Sequence, residues 1–138
     1  MAGGLLTLKN TRQFERVRQE GRTWAAPLLI LNAAPNGLDV VRCGFVAGKK
    51  TGKAVERNRA RRLMREAVRL RLPSIRPGWD LVWIARPAIL EASSGDVGRD
   101  VDELLRRSNL LESREREHEH HEHNHHATHT ELNEEHGP

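Results

Sequence analysis

The chain has 138 residues, the size of one ordinary domain. Its overall charge of +4 hides two unlike regions: residues 1–111 hold 21 Lys/Arg against 11 Asp/Glu, a net of +10, while residues 112–138 hold 2 against 8, a net of −6. A compact domain so positive gains by meeting a polyanion, and no apolar run approaches the ~18 residues of a membrane span, so nucleic acid displaces the membrane as the leading partner.

The opening Met1-Ala2-Gly3-Gly4-Leu5-Leu6 has no basic segment followed by an apolar one, so a cytoplasmic protein is expected. Asn10-Thr11-Arg12-Gln13 has the pattern of a capped helix start, and Phe14 and Val17 then share a face until Gly21 ends a short first helix. Pro27-Leu28-Leu29-Ile30-Leu31 is continuous and apolar, Pro35-Asn36-Gly37 is a turn, and Val40 to Val46 reads as a strand. The simplest account is an antiparallel pair joined by that turn, leaving the segment before Pro27 to pair separately. Cys43, the single cysteine, has no partner for an internal disulfide and reads as a small buried side chain.

A helix is expected from about Ala54 to Leu72, ended by Pro73, then a turn at Arg76-Pro77-Gly78 and a strand from Trp79 to Ala85. Trp79 and Trp83 fall on one face of that strand, as core residues would. The last helix spans roughly Val97 to Arg107, with Val101, Leu104 and Leu105 at i, i+3 and i+4. Helices on one sheet, an α/β sandwich, follow from this order. Two segments emerge, a domain over 1–111 and a tail over 112–138. The tail has no aromatic residue and only Leu132 as a large aliphatic, which predicts disorder. All eight His lie there, and His118, His120, His121, His123, His125, His126 and His129 pose a choice between a Zn²⁺ or Ni²⁺ site and an acidic tail with incidental affinity.

The stretch from Lys49 to Arg71 carries the function, because ten of its 23 residues are basic. On a helix Arg57, Arg61, Arg65 and Arg69 form one i, i+4 ridge about 18 Å long, with Asn58 and Arg62 beside it. Ala60, Leu63, Met64, Ala67 and Leu70 fall on the opposite side. A merely solvated face would alternate signs, whereas only Glu56 and Glu66 offset this one, and like charges at i, i+4 destabilise a helix. The guanidinium fork suits phosphate, since it donates two hydrogen bonds at once. Residues 1–111 contain no His and no Tyr, and so no His-Glu-x-x-His spacing, and a protein-based nuclease would be hard to build from them.

Gly44-Phe45-Val46-Ala47-Gly48-Lys49-Lys50 through Arg57-Asn58-Arg59-Ala60-Arg61-Arg62-Leu63-Met64-Arg65-Glu66 closely resembles the signature of the bacterial ribonuclease P protein component, with its Arg-Asn-Arg motif. Phe14-Glu15-Arg16-Val17 before Gly21 and Trp79 to Pro87 match the same layout, so the similarity runs from about Leu6 to Leu111. The resemblance implies an α-β-β-β-α-β-α fold, helices packed on one mixed four-stranded sheet, with a left-handed crossover through the basic helix. It implies that Lys49, Lys50, Lys53, Arg57, Asn58, Arg61, Arg62, Arg65 and Arg69 face a catalytic RNA. It further implies that this RNA and bound Mg²⁺ perform the hydrolysis and that the protein alone is inactive. The implied substrate is precursor tRNA, whose single-stranded 5′ leader lies in a cleft between the first helix and the sheet, against Phe14, Val17, Arg18 and Trp24. No membrane and no obligate protein partner is implied.

The family commonly has a second aromatic four residues after the one matching Phe14 and another in the first long strand, where this chain has Arg18 and Asn32. For Phe14 and Trp24 the alternatives are stacking on unpaired bases and packing in the core. Against a structural RNA-binding protein such as a ribosomal protein stands the Lys49 to Glu66 signature. Against a DNA-binding protein stands a face of Arg with no Gln, Ser or Thr to read base edges.

Overall fold

The computed structural model describes residues 5–112. In chain order these form β1 (Leu6–Thr7), α1 (Thr11–Glu20), β2 (Arg22–Ala25), β3 (Leu29–Pro35), β4 (Val41–Val46), α2 (Ala54–Arg71), β5 (Trp79–Ala85) and α3 (Ser94–Arg107), with short 3₁₀ turns before and after α2 and after β5. Asn10 caps α1, its side chain accepting the Gln13 N–H at 3.0 Å. The last helix begins three residues before its expected start, because Ser93 and Asp96 exchange side-chain-to-backbone hydrogen bonds of 3.1 and 3.0 Å.

The sheet has five strands in the order β1-β4-β5-β3-β2, one more than the four expected. The addition, β1, pairs parallel with β4 over only Leu6↔Arg42 and Thr7↔Cys43, too short to show as a period in the sequence. The expected β3–β4 hairpin does not form. β5 lies between the two, antiparallel to β3 and parallel to β4, with Trp79 opposite both Pro35 and Val41. The connection 36–40 steps over the start of β5, where the Asn36 N–H donates to the Gly78 carbonyl and the Gly78 N–H to the Val40 carbonyl, both at 2.9 Å. Five residues reach up to ~16 Å, enough to cross two strand spacings of ~4.8 Å. The central place goes to β5 because its residues bury on both faces, whereas β2 and β1 at the edges are short. α2 is the crossover between the parallel pair β4 and β5.

Alternation splits the core in two. On one face Trp24, Leu31, Trp83 and Phe45 align in a row across four strands, and this face packs on α2 and α3 through Met64, Val68, Val101, Leu104 and Leu105. On the other, Ala34 and Val82 pack with Leu8 and Val17 under α1.

Candidate nucleic-acid interface

α2 meets the sheet through Ala60, Met64, Ala67 and Val68. Leu70, expected on that face, is 65% exposed, and Val68 is buried instead. A face centred between Ala60 and Met64 leaves Leu70 about 100° round the helix and takes in Val68. Each i+4 step turns about 40°, so the Arg ridge winds rather than standing opposite the core. Arg57 and Arg61 are half-buried along its flank, while Arg65 and Arg69 reach solvent, with Asn58 and Arg62 exposed alongside.

The approach to α2 presents three lysines. Lys49 and Lys50 are exposed on a 3₁₀ turn anchored by buried Thr51, and Lys53 stands at the helix N-cap. Gly52 has φ 143°, a conformation that side chains rarely adopt, and a Cβ there would lie 2.2 Å from a Glu56 carboxylate oxygen. That carboxylate accepts the Lys53 N–H at 2.8 Å and closes the helix start. The free N–H groups of the first turn add positive potential beside the lysines.

The guanidinium groups of α2 divide by what engages them. Arg59 donates to the Leu90 carbonyl at 3.2 Å and Arg71 to Asp102 at 2.6 Å, so both are tied into the fold. Arg69 donates to Glu66 at 2.9 Å, which raises its pKa, and Arg61 donates to the Asn58 side chain. Arg57 reaches the Gly52 carbonyl at 3.5 Å. Arg62 and Arg65 make no hydrogen bond or ion pair among the described residues; Arg65 instead lies over the Phe45 ring, 5.3 Å from its centroid.

Across the sheet, Phe14 rests on Gly44, where a Cβ would come within 2.3 Å of its ring carbon Cε2. Half-buried Ile30, Ile84 and Val46, a row in register on this face, form an apolar strip beside α1. Phe14 and exposed Arg18 lie on the α1 side of that strip, and Arg18 pairs with Glu15 at 3.0 Å. Val17 is fully buried under the helix. Trp24 corrects the sequence reading: it is 5% exposed and sits in the row with Leu31 and Trp83, on the face away from α1. Asn32 lies beneath α1's side of the sheet, buried, donating to the Thr23 hydroxyl at 2.7 Å.

Sequence reasoning missed a polar knot that fixes α1 in place. Asp80, 0% exposed in β5, accepts from Arg16 of α1 at 2.6 Å, from Arg42 of β4 twice at 2.8 Å and from Asn36 at 3.0 Å. Burial by itself pushes this carboxyl up, but the hydrogen bonds from Arg42, Asn36 and Arg16 outweigh it and hold the pKa below the usual carboxylate value. One acid within Trp79-Asp80-Leu81-Val82-Trp83 was the signal, since a charge in a strand covered on both faces needs partners. No group of three or more His, Cys, Asp or Glu among the described residues is placed to hold a metal ion. The His-rich run and the tail over 112–138 lie, apart from Glu112, outside the described residues.

The family model described as Ribonuclease P matches residues 5–109. A protein named ribonuclease P protein component from Roseiflexus castenholzii is 50% identical over 106 residues, which cover 76% of this chain and 87% of the relative. One of the same name from Chloroflexus aggregans is 50% identical over 111 residues, 80% and 82% of the two chains. Among solved structures, the RNase P protein from Thermotoga maritima aligns at TM-score 0.67 and 30% identity over 73% of this chain and 96% of that one. The Staphylococcus aureus RNase P protein, at 23% identity and TM-score 0.70 over 78% and 99%, shares the fold. With its basic crossover helix and its α1-covered sheet face matched over nearly the whole described domain, the chain belongs to the bacterial ribonuclease P protein component family.

Proposed function

We propose that the chain is the protein subunit of a ribonuclease P ribonucleoprotein, seating the catalytic RNA on α2 and the 5′ leader of precursor tRNA on the α1 face. The observation that carries the first part is the unopposed basic surface: Lys49, Lys50, Lys53, Arg57, Asn58, Arg61, Arg62, Arg65 and Arg69 lie on one helix and its approach, with only Glu56 and Glu66 of opposite sign on the helix. On this reading Arg62 and Arg65, whose guanidinium donors are unspent among the described residues, contact phosphate first. The leader runs along the Ile30, Ile84 and Val46 strip, with Phe14 as the stacking surface and Arg18 beside it for a phosphate. Val17 supports α1 from below, and Trp24 serves the core.

The protein supplies position and charge, and the RNA holds the Mg²⁺ and performs the cleavage. Asp80, the buried acid, supports this division, because its oxygens already accept from two guanidinium groups and an amide. The test adds purified protein to ribonuclease P RNA and precursor tRNA at low Mg²⁺ and scores 5′ maturation. The expected result is cleavage with both components and none with protein alone. Cleavage by scrupulously RNA-free protein, or no stimulation of the RNA, refutes the proposal.

A further inference from the structure

An arginine in a basic helix has five N–H donors and a long stem. Holding it still by an ion pair or a carbonyl uses donors that a phosphate would need. On α2, Arg57, Arg59, Arg61, Arg69 and Arg71 are held in that way, each with at least one N–H committed to an oxygen of the protein. Arg65 is held differently. Its guanidinium carbon stands 5.3 Å from the centroid of Phe45, and among the described residues no hydrogen bond or ion pair engages it. An aromatic face attracts the cation through its quadrupole while leaving every N–H free at the rim.

The ring is itself fixed. Phe45 sits in β4 opposite Trp83, half-buried against the main core, so it is a firm shelf rather than a mobile side chain. We infer that Phe45 is a positioning residue for RNA binding, presenting the Arg65 guanidinium preorganised and with its full donor set to one phosphate of the partner RNA. This rests on the assignment of α2 to RNA. A ring in contact with Arg65 on the free protein removes the conformational freedom that a phosphate would otherwise have to remove on binding.

The test is a double-mutant cycle on RNA affinity with Phe45→Leu, Arg65→Gln and the pair, plus Phe45→Tyr as the variant that keeps an aromatic face, each compared per folded molecule after thermal unfolding. Phe45→Leu is expected to weaken binding about 2–5-fold, the scale of one exposed cation–π contact. The slope of log affinity against log salt should stay unchanged, since no charge is lost. Arg65→Gln should lower that slope by about 0.7–0.9, one phosphate's share. In the Arg65→Gln background Phe45→Leu should have no further effect, and Phe45→Tyr should bind as the parent does. An equal loss from Phe45→Leu in both backgrounds, no loss at all, or a loss in Phe45→Tyr matching that in Phe45→Leu overturns the role of Phe45 while leaving α2 as the RNA surface. Unchanged affinity and slope in Arg65→Gln removes Arg65 from the RNA contacts and overturns the role of Phe45 with it.

Discussion

Replacing Asp80 by Asn tests the knot that joins α1 to the sheet. The substitution keeps the shape and one acceptor oxygen but removes the charge and turns a second acceptor into a donor facing Arg16 and Arg42. Breaking a buried ion pair from one side costs about 3–5 kcal/mol. Because the Arg16 and Arg42 side chains are 30% and 23% exposed, water can rehydrate them in part, which places the loss near the lower end. In a domain of this size about 3 kcal/mol corresponds to a fall of roughly 10–20 °C in melting midpoint. Urea unfolding followed by circular dichroism and Trp fluorescence, with an unchanged slope between variants, measures it. The folded-state carboxyl is held below its unfolded value. Its contribution is therefore complete above the unfolded pKa of about 4 and is lost as pH falls through the lower folded value, so the gap between parent and Asp80→Asn should narrow at acid pH. Equal stability at pH 7, or a gap that persists unchanged at pH 3, would refute the reasoning.

Changing Arg61 and Arg65 together to Gln should change thermal stability little, since relief of repulsion along α2 offsets the lost Asn58 hydrogen bond and Phe45 contact, while cleavage with the RNA falls and recovers in part at higher Mg²⁺. Met64→Ala on the buried face should do the reverse, lowering folding stability by about 2–5 kcal/mol in denaturant melts. Gly44→Ala must displace the Phe14 ring, so the affinity advantage of a substrate with a leader over a leaderless one should shrink, as measured by competition for the reconstituted enzyme. The Cys43 thiol is buried and its pKa is pushed up to about 12, chiefly by that burial. Alkylation at pH 8 should therefore wait for unfolding, and reaction of the native protein as fast as free cysteine would contradict its placement.

Periodicity and punctuation carried most of the helix and strand positions. Asn10, Gly21 and Pro73 bracket α1 and α2 in the sequence much as they do in space, and the strand Trp79 to Ala85 falls between the Arg76-Pro77-Gly78 turn and Pro87. What escaped were pairings set by non-local competition. A turn at Pro35-Asn36-Gly37 looks like a hairpin locally, but β5, forty residues on, displaces β4 from β3's edge. The basic face of α2 was legible from its charge, while its angular placement was not, because Val68 and Leu70 are equally apolar and only docking chooses between them. Trp24 was indistinguishable from a surface aromatic until register put it opposite Leu31. Phe45's part was invisible for the same reason, since the pair it makes with Arg65 spans two elements.

The central position of β5 also sets an order of assembly. Until residues 79–85 arrive, β4 has only the two-residue β1 to pair with, and the one substantial sheet unit available is β2 with β3. Most long-range pairing is thus deferred to a single insertion event, which raises the entropic cost of reaching the transition state and favours all-or-none closure over stepwise growth. A nascent chain or fragment ending before Trp79 would have the Arg-rich helix but not the central strand that holds β4 beneath it. Competence to hold RNA should therefore appear together with protection of the β5 amides from hydrogen exchange, not with the helix itself.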